Sequence, residues 1–457
     1  MSPVAARLPL AAAVVLFALV APAAAQPVVT PDADPRVAAI VAAVSPERLR
    51  TLATTLAGFG TRETMSTTAS STRGIGAARQ WILDELTRSS PRLRVSFDTH
   101  VIAPQGRITR QTELRNVMAV LPGRTARRIY VTGHYDSVSL GRGGQQALNT
   151  GGGNRQGRAD FDHDQDAPGA NDDGSGTVLT MELARVFAES GLEFDATLVF
   201  MCWAGEEQGL IGSSAHAQAL AAGKVVVEAN LNNDIVGNSH GGNGVVDAET
   251  VRVYSVGPED SMPRSLARYV ERVAALYVPS HRVRLMARED RFGRGSDHSS
   301  FTKQGFPAVV FREANENFAK QHTPNDTLDG VDVAYLAQNA RVNAAAAASL
   351  ALAPPAPSVV NERGAPQIGR GPSGYDAQLR WQASPGAVAY RVYWRDTWTN
   401  DWQHRQTVGN VTEFVLPNVT IDDFVFGVAA VGADGHESLT SAYVSPVRQQ
   451  PDIRVVK

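Results

Sequence analysis

The segment Gly205-Glu206-Glu207-Gln208-Gly209 sets two carboxylates side by side at the end of an apolar run, Ala196 to Trp203. Like charges repel and resist removal from water, so the pair needs either solvent or a cation. Alone it reads as a solvated strand-to-helix turn. Four other segments change that reading. Gly133-His134-Tyr135-Asp136 closes a second apolar run, and Gly169-Ala170-Asn171-Asp172-Asp173-Gly174-Ser175-Gly176 is a turn leading into a helical stretch. Asn232-Asn233-Asp234-Ile235 ends a third run, and Gln321-His322-Thr323-Pro324-Asn325-Asp326 follows a fourth through a polar loop. Each is ordinary strand-end or turn chemistry by itself. Together they offer two histidines and three carboxylates from separate loops, the mixed nitrogen and oxygen set that suits zinc. One catalytic zinc takes three protein ligands and keeps a position open. Five ligands with one carboxylate shared supply three to each of two metals, so the arithmetic favours a two-metal centre.

For these segments to meet, their strands must end on one rim. Between residues 34 and 353 the pattern alternates helix-like and strand-like stretches. Apolar residues at helical spacing, such as Ala77, Trp81, Ile82 and Leu86, predict helices over 45–56, 74–88, 177–190, 213–222, 265–275 and 331–353. Continuous apolar runs predict strands over 116–121, 128–133, 196–203, 225–231 and 309–311. Strands separated by helices imply an α/β fold with a mostly parallel central sheet flanked by helices. In such sheets, sites gather at the carboxyl ends of the strands.

Residues 354–358 are a proline-rich linker, and short alternating segments follow it. They predict a small all-β sandwich over residues 359–450. Leu379-Arg380-Trp381, Tyr390 to Trp394, Leu416 and Val428 to Val431 resemble a fibronectin type III module. Phe424 stands where that family usually carries a corner tyrosine, so the corner hydrogen bond is missing. A module of this kind is expected to bind a surface or polymer, or to act as a spacer.

Arg7, the apolar run Leu8 to Val20 and Ala23-Ala24-Ala25 have the pattern of a secretory signal peptide over residues 1–25. The run is short for a membrane span of about 20 residues. The expectation is therefore an exported chain, secreted or periplasmic, with no stable membrane insertion after cleavage. Cys202 is the single cysteine, which excludes an intrachain disulfide, and its apolar strand suits an inert thiol. A formal net charge of -3 with no long basic run gives no footprint for nucleic acid.

Six short motifs resemble, in order, those of the M28 family of zinc peptidases. They are the segments around His134, Asp172, Glu206-Glu207 and Asp234, together with Gly295-Ser296-Asp297-His298 and His322 to Thr327. The likeness runs from about Ser45 to Ala353, so residues 26–353 are identified as a peptidase domain. The resemblance implies two zinc ions, His134 and Asp234 holding one, Glu207 and His322 the other, with Asp172 bridging both. It implies a cis peptide bond between Asp172 and Asp173. Asp136 is expected to accept from the second ring nitrogen of His134 and so set its tautomer. Glu206 is expected to act as general base towards the activated water and then to pass the proton to the leaving amine. His298 matches no ligand position of the family and is expected to play a structural or substrate-side part. The activity implied is that of an aminopeptidase acting on peptides. A carboxypeptidase-type hydrolase and a glutaminyl-cyclase-like acyltransferase are the alternatives on the same fold. Asp160 to Asp166 has calcium-like spacing, but Gln165 replaces the needed loop glycine, so a solvated acidic loop is expected there.

Overall fold

The computed structural model describes residues 33–140 and 162–445. The expected signal peptide, Asp160 and the last residues of the expected sandwich lie outside them. Eight strands form one sheet: β1 (Arg94–Ile102), β2 (Thr112–Leu121), β3 (Arg128–His134), β4 (Thr197–Trp203), β5 (Val227–Asn233), β6 (Thr250–Tyr254), β7 (Arg282–Met286) and β8 (Ala308–Glu313). Their order is β1-β2-β4-β3-β5-β8-β6-β7. The four central strands β4, β3, β5 and β8 run parallel, β1 and β2 close one side antiparallel, and β6 with β7 reverses direction on the other. The carboxyl ends of all four central strands therefore share one rim.

Alternation along the strands splits the apolar side chains between two faces. Ile129, Val131, Leu198 and Phe200 join the larger core cluster, whereas Tyr130, Val199, Met201 and Trp203 join a smaller one. The helices are α1 (Pro35–Ala42), α2 (Pro46–Gly58), α3 (Gly74–Ser89), α4 (Gly174–Glu189), α5 (Ile211–Ala222), α6 (Met262–Tyr277), α7 (His298–Thr302) and α8 (Val333–Leu352). Six of them cover the larger face, with α8 buried along most of its length among α1, α2, α4 and α6. The smaller face is covered by α5 and α7, through Ala217, Leu220 and Phe301. Side-chain caps start the helices where the sequence offers them. Ser45 caps α2 ahead of Pro46, Asp173 caps α4, and Asp332 caps α8.

Beyond α8, seven strands build two antiparallel sheets. They are β9 (Ile368–Arg370), β10 (Ala377–Arg380), β11 (Ala389–Asp396), β12 (His404–Val408), β13 (Glu413–Leu416), β14 (Phe424–Val431) and β15 (Ser441–Ala442). The sheets are β13-β10-β9 and β12-β11-β14-β15, closing on a core that includes Leu379, Trp381, Tyr390, Val392, Phe426 and Val428. This unit is not a free spacer. Leu439 enters the larger core of the α/β region, and Ser265 on α6 donates to the carbonyl of Thr440 at 2.7 Å. Pro354 and Pro357 of the proline-rich stretch are buried.

Candidate metal centre

Close backbone approach assembles the rim. A side chain at Gly133 would strike the backbone of Gly176, and one at Gly176 would strike the carbonyl of Asn233 at 2.3 Å. Only glycine lets α4 start this near β3 and β5. Asp173 then ties three motifs together: Oδ2 accepts from His134 N–H at 3.0 Å, and Oδ1 from Gly176 N–H at 2.8 Å and Ile235 N–H at 3.1 Å. The Asp172–Asp173 peptide is cis, in line with the family resemblance.

Asp136 is buried beside His134 and meets its second ring nitrogen through the main-chain carbonyl. His134 Nδ1 lies 3.0 Å from the Asp136 main-chain carbonyl and 3.6 Å from its carboxylate. The carboxylate instead accepts from the N–H groups of Glu206 and Glu207, each at 3.1 Å, and from the Thr64 hydroxyl at 2.9 Å. The turn after β3 thus presents its carbonyl to the imidazole and leaves the side chain to hold the glutamate turn.

The described residues contain three groups whose ligand-type atoms converge: His134 with Glu206 and Glu207, and two clusters that share Asp172, namely His134 with Asp172 and Asp234, and Asp172 with Glu207 and His322. His134 Nε2 is 3.5 Å from Asp172 Oδ1 and 3.7 Å from Asp234 Oδ1. His322 Nε2 is 2.9 Å from Asp172 Oδ2 and 3.3 Å from Glu207 Oε1. Ligands about 2.1 Å from a tetrahedral zinc stand roughly 3.4 Å from each other, so both clusters fit that ion. Asp172 faces both clusters, one oxygen to each. Asp172 Oδ2 and Glu207 Oε1 are buried, and apart from the His322 ring nitrogen no donor reaches them, the condition expected of atoms kept for a metal.

Charge points the same way. Asp172, Glu206, Glu207 and Asp234 face His134 and His322, and the one guanidinium in direct contact with any of the four is that of Arg312, 2.6 Å from Asp234 Oδ1. Burial, together with the charges of Glu207, Asp234 and Asp297, pushes the Glu206 carboxyl well above the usual range. His322 is pushed up to about 9, burial being outweighed by Glu207 and Asp172. A cleft of about 420 Å³ opens over these groups, and Glu206 lines it half-buried.

Three residues that sequence reasoning did not single out hold this arrangement. Arg62, fully buried, donates to the carbonyls of Tyr135, Pro168 and Gly169, joining the loops after β3 and before α4. The Asp326 carboxylate accepts from the N–H groups of Asn171 (3.0 Å) and Asp172 (2.8 Å), and burial with the Asp172 charge pushes it up to about 7. Arg312 also reaches Asp290 at 2.8 Å. An arginine inside the buried run Val309-Val310-Phe311-Arg312 was the available signal for the last of these.

His298 belongs to neither cluster; its Nε2 lies 2.9 Å from the carbonyl of Glu289. In the acidic loop, Asp164 accepts from Thr67 N–H and Asp166 pairs with Arg73. Burial pushes the Cys202 thiol far above its ordinary range.

The sequence pattern of peptidase family M28 matches residues 116–347. A "Probable zinc metalloprotease" of Pyricularia oryzae is 38% identical over 449 residues, covering 89% of this chain and 84% of its own length. One from Leptosphaeria maculans is 36% identical, covering 90% and 97%. Among solved structures, LapA aminopeptidase of Legionella pneumophila is similar with a TM-score of 0.52 at 20% identity, over 70% of this chain and 75% of that one. LapB of the same organism gives 0.53 at 20% identity, over 72% and 78%. At such identities the structures bear on the fold alone, while the family pattern and the closer sequences carry the assignment. The chain belongs to peptidase family M28 and is a metallopeptidase.

Proposed function

We propose that this chain is an exported aminopeptidase that uses two zinc ions to hydrolyse the first peptide bond of N-terminally free peptides. The observation that carries the reading is the pair of donor clusters sharing Asp172, with Glu206 beside them in the same cleft. His134 and Asp234 would hold one ion, Glu207 and His322 the other, and Asp172 both. When bound, zinc supplies Lewis acidity, polarising the scissile carbonyl and making water acidic enough to lose a proton near neutral pH.

Glu206 takes that proton at its carboxylate as the water oxygen bonds to the carbonyl carbon. It then returns the proton to the nitrogen as the carbon–nitrogen bond breaks, releasing a free amino acid and a shortened peptide. Asp136 fixes the Glu206 and Glu207 backbone, so base and ligand keep their relative positions. Arg312 offsets charge on Asp234, and Asp326 orients the Asp172 turn. The N-terminal apolar run with its small-residue site supports export, to the periplasm or the medium. The three-plus-four sandwich supports a fibronectin type III-like module with a binding role outside the cleft, since none of the module's described residues lines it.

The test is digestion of a peptide series by zinc-reconstituted protein, read by mass. Stepwise loss of N-terminal residues, abolished by chelation and by acetylating the amino terminus, is the expected result. Cleavage of N-blocked but not C-blocked peptides would replace this reading with a carboxypeptidase. Cyclisation of N-terminal glutamine with a single bound zinc would replace it with an acyltransferase.

A further inference from the structure

The arginines around the cleft are not equally matched. Arg312 pairs with Asp234 and Asp290, Arg252 with Glu316 at 2.6 Å, and Arg291 with Glu316 at 2.5 Å. Arg294, half-buried in the cleft wall, reaches among the described residues only the amide oxygen of Gln321 at 3.4 Å with its side chain. Arg107, from the loop between β1 and β2, also lines the cleft and has no hydrogen bond or ion pair among the described residues. Of the cleft's side chains only those of Leu210 and Ile235 are apolar, and Ile235 is buried, so little surface suits a large apolar group. Burial and the nearby Arg291 pull the Arg294 guanidinium below its ordinary value, only partly opposed by the charges of Asp172 and Glu316.

If the cleft carboxylates hold metal as proposed above, the charge left facing the substrate is guanidinium. We propose that Arg294, assisted by Arg107, forms a carboxylate-binding subsite that favours peptides carrying a carboxylate close to the scissile bond. A guanidinium fork suits that guest, and its partial burial strengthens the pairing. Two sources share the chemistry: the side chain of an acidic first residue, and the terminal carboxylate of a dipeptide. The inference rests on the hydrolase reading, so its test carries a second readout.

The zinc-loaded full chain is assayed on two substrate pairs, Glu-Ala-amide against Gln-Ala-amide and Leu-Ala against Leu-Ala-amide. The expected result is a preference of about tenfold or more in kcat/KM for the charged member of one pair, which identifies the source. Arg294→Gln brings that ratio close to one, and Arg294→Lys restores part of it. Ratios near one in both pairs for the wild type, or a preference that survives Arg294→Gln, overturn the proposal. If no peptide is cleaved, the hydrolase reading fails on its own, and calorimetric titration of glutarate against its monoamide reads the subsite. Tighter glutarate binding that is lost in Arg294→Gln supports the subsite, and equal binding by wild type and variant overturns it.

Discussion

Buried charge concentrates in two places, the rim of the large sheet and the seam where the C-terminal sandwich docks, and it is handled in opposite ways. At the seam, Glu437 receives Arg391 at 2.6 Å, Arg272 at 3.2 Å and the Tyr393 hydroxyl. Nearby, Asp34 receives Arg36 at 2.6 Å and His436 at 2.8 Å, and Asp260 receives Arg395. At the rim, Asp172 Oδ2 and Glu207 Oε1 share the single ring nitrogen of His322, and four carboxylates crowd one cleft. A buried charge supplied with its partners holds two surfaces together. One denied them is poised for something the chain does not itself provide. The chemistry of the side chains is the same in both places, so the balance of partners is what separates docking from binding.

The largest test of that contrast is Glu206→Gln. The substitution keeps shape but removes the proton acceptor, and should cut kcat by about a thousandfold while metal analysis still finds the wild-type zinc content. His322→Ala should instead remove about one of two zinc equivalents, since three donors per ion fall to two at one cluster only. A Glu206→Gln enzyme with near-normal kcat would show that the rim's unmatched charge does not do the chemistry.

At the seam the counterpart is Glu437→Gln. It leaves the buried Arg391 against a neutral group, while the exposed Arg272 can turn to water, which should cost about 3 kcal/mol of stability in denaturant unfolding. The kcat of the folded protein should stay as it was, because no seam residue lines the cleft. A loss of kcat without a loss of stability would mean that the two regions communicate.

Much of the rim is legible in the sequence because its motifs sit where uninterrupted apolar strands end. The runs at 128–133 and 196–203 become β3 and β4 almost residue for residue. Strands missed by sequence reading are short or carry charge on one face. Arg252 interrupts β6, Arg284 interrupts β7, and β12 reads His-Arg-Gln-Thr-Val. Such strands are stabilised by pairing with neighbours rather than by their own pattern. Arg62 and Asp326 were illegible for a related reason, since their partners are main-chain groups distant in sequence, which no spacing rule connects. The sequence points to Asp136 as the partner of the second His134 nitrogen, but backbone and side chain of one residue compete for the same imidazole, and only geometry selects the carbonyl.

In chelated protein the sign of the rim's contribution should reverse. Without cations, the half-buried Glu206 carboxylate is disfavoured by its loss of solvent and by the charges of Glu207 and Asp234. Glu206→Gln should therefore raise the stability of the metal-free protein by about 1–2 kcal/mol, the exchange of stability for activity expected at a functional site. The variant would then be inactive and more stable at once, whereas Glu437→Gln would be active and less stable. Equal melting temperatures for the two chelated proteins would remove the claim that the rim is strained by charge.

The smallest effect is at Asp34, and its pH dependence gives it a distinctive signature. Burial pushes this carboxyl up, but hydrogen bonds from Arg36 and His436 outweigh it and hold it well below the ordinary value of 3.8. A depressed folded-state pKa means that the contribution is complete above the unfolded value and is lost as pH falls below it. Asparagine caps α1 about as well as aspartate, so Asp34→Asn removes the charge and spares the cap. Wild type should exceed Asp34→Asn by about 1 kcal/mol at pH 7. The gap should hold down to about pH 4 and narrow below it, because protonation makes the wild-type residue resemble the variant. A gap that persisted at pH 2 would show that Asp34 acts through shape rather than charge, and the seam would then be a poor contrast to the rim.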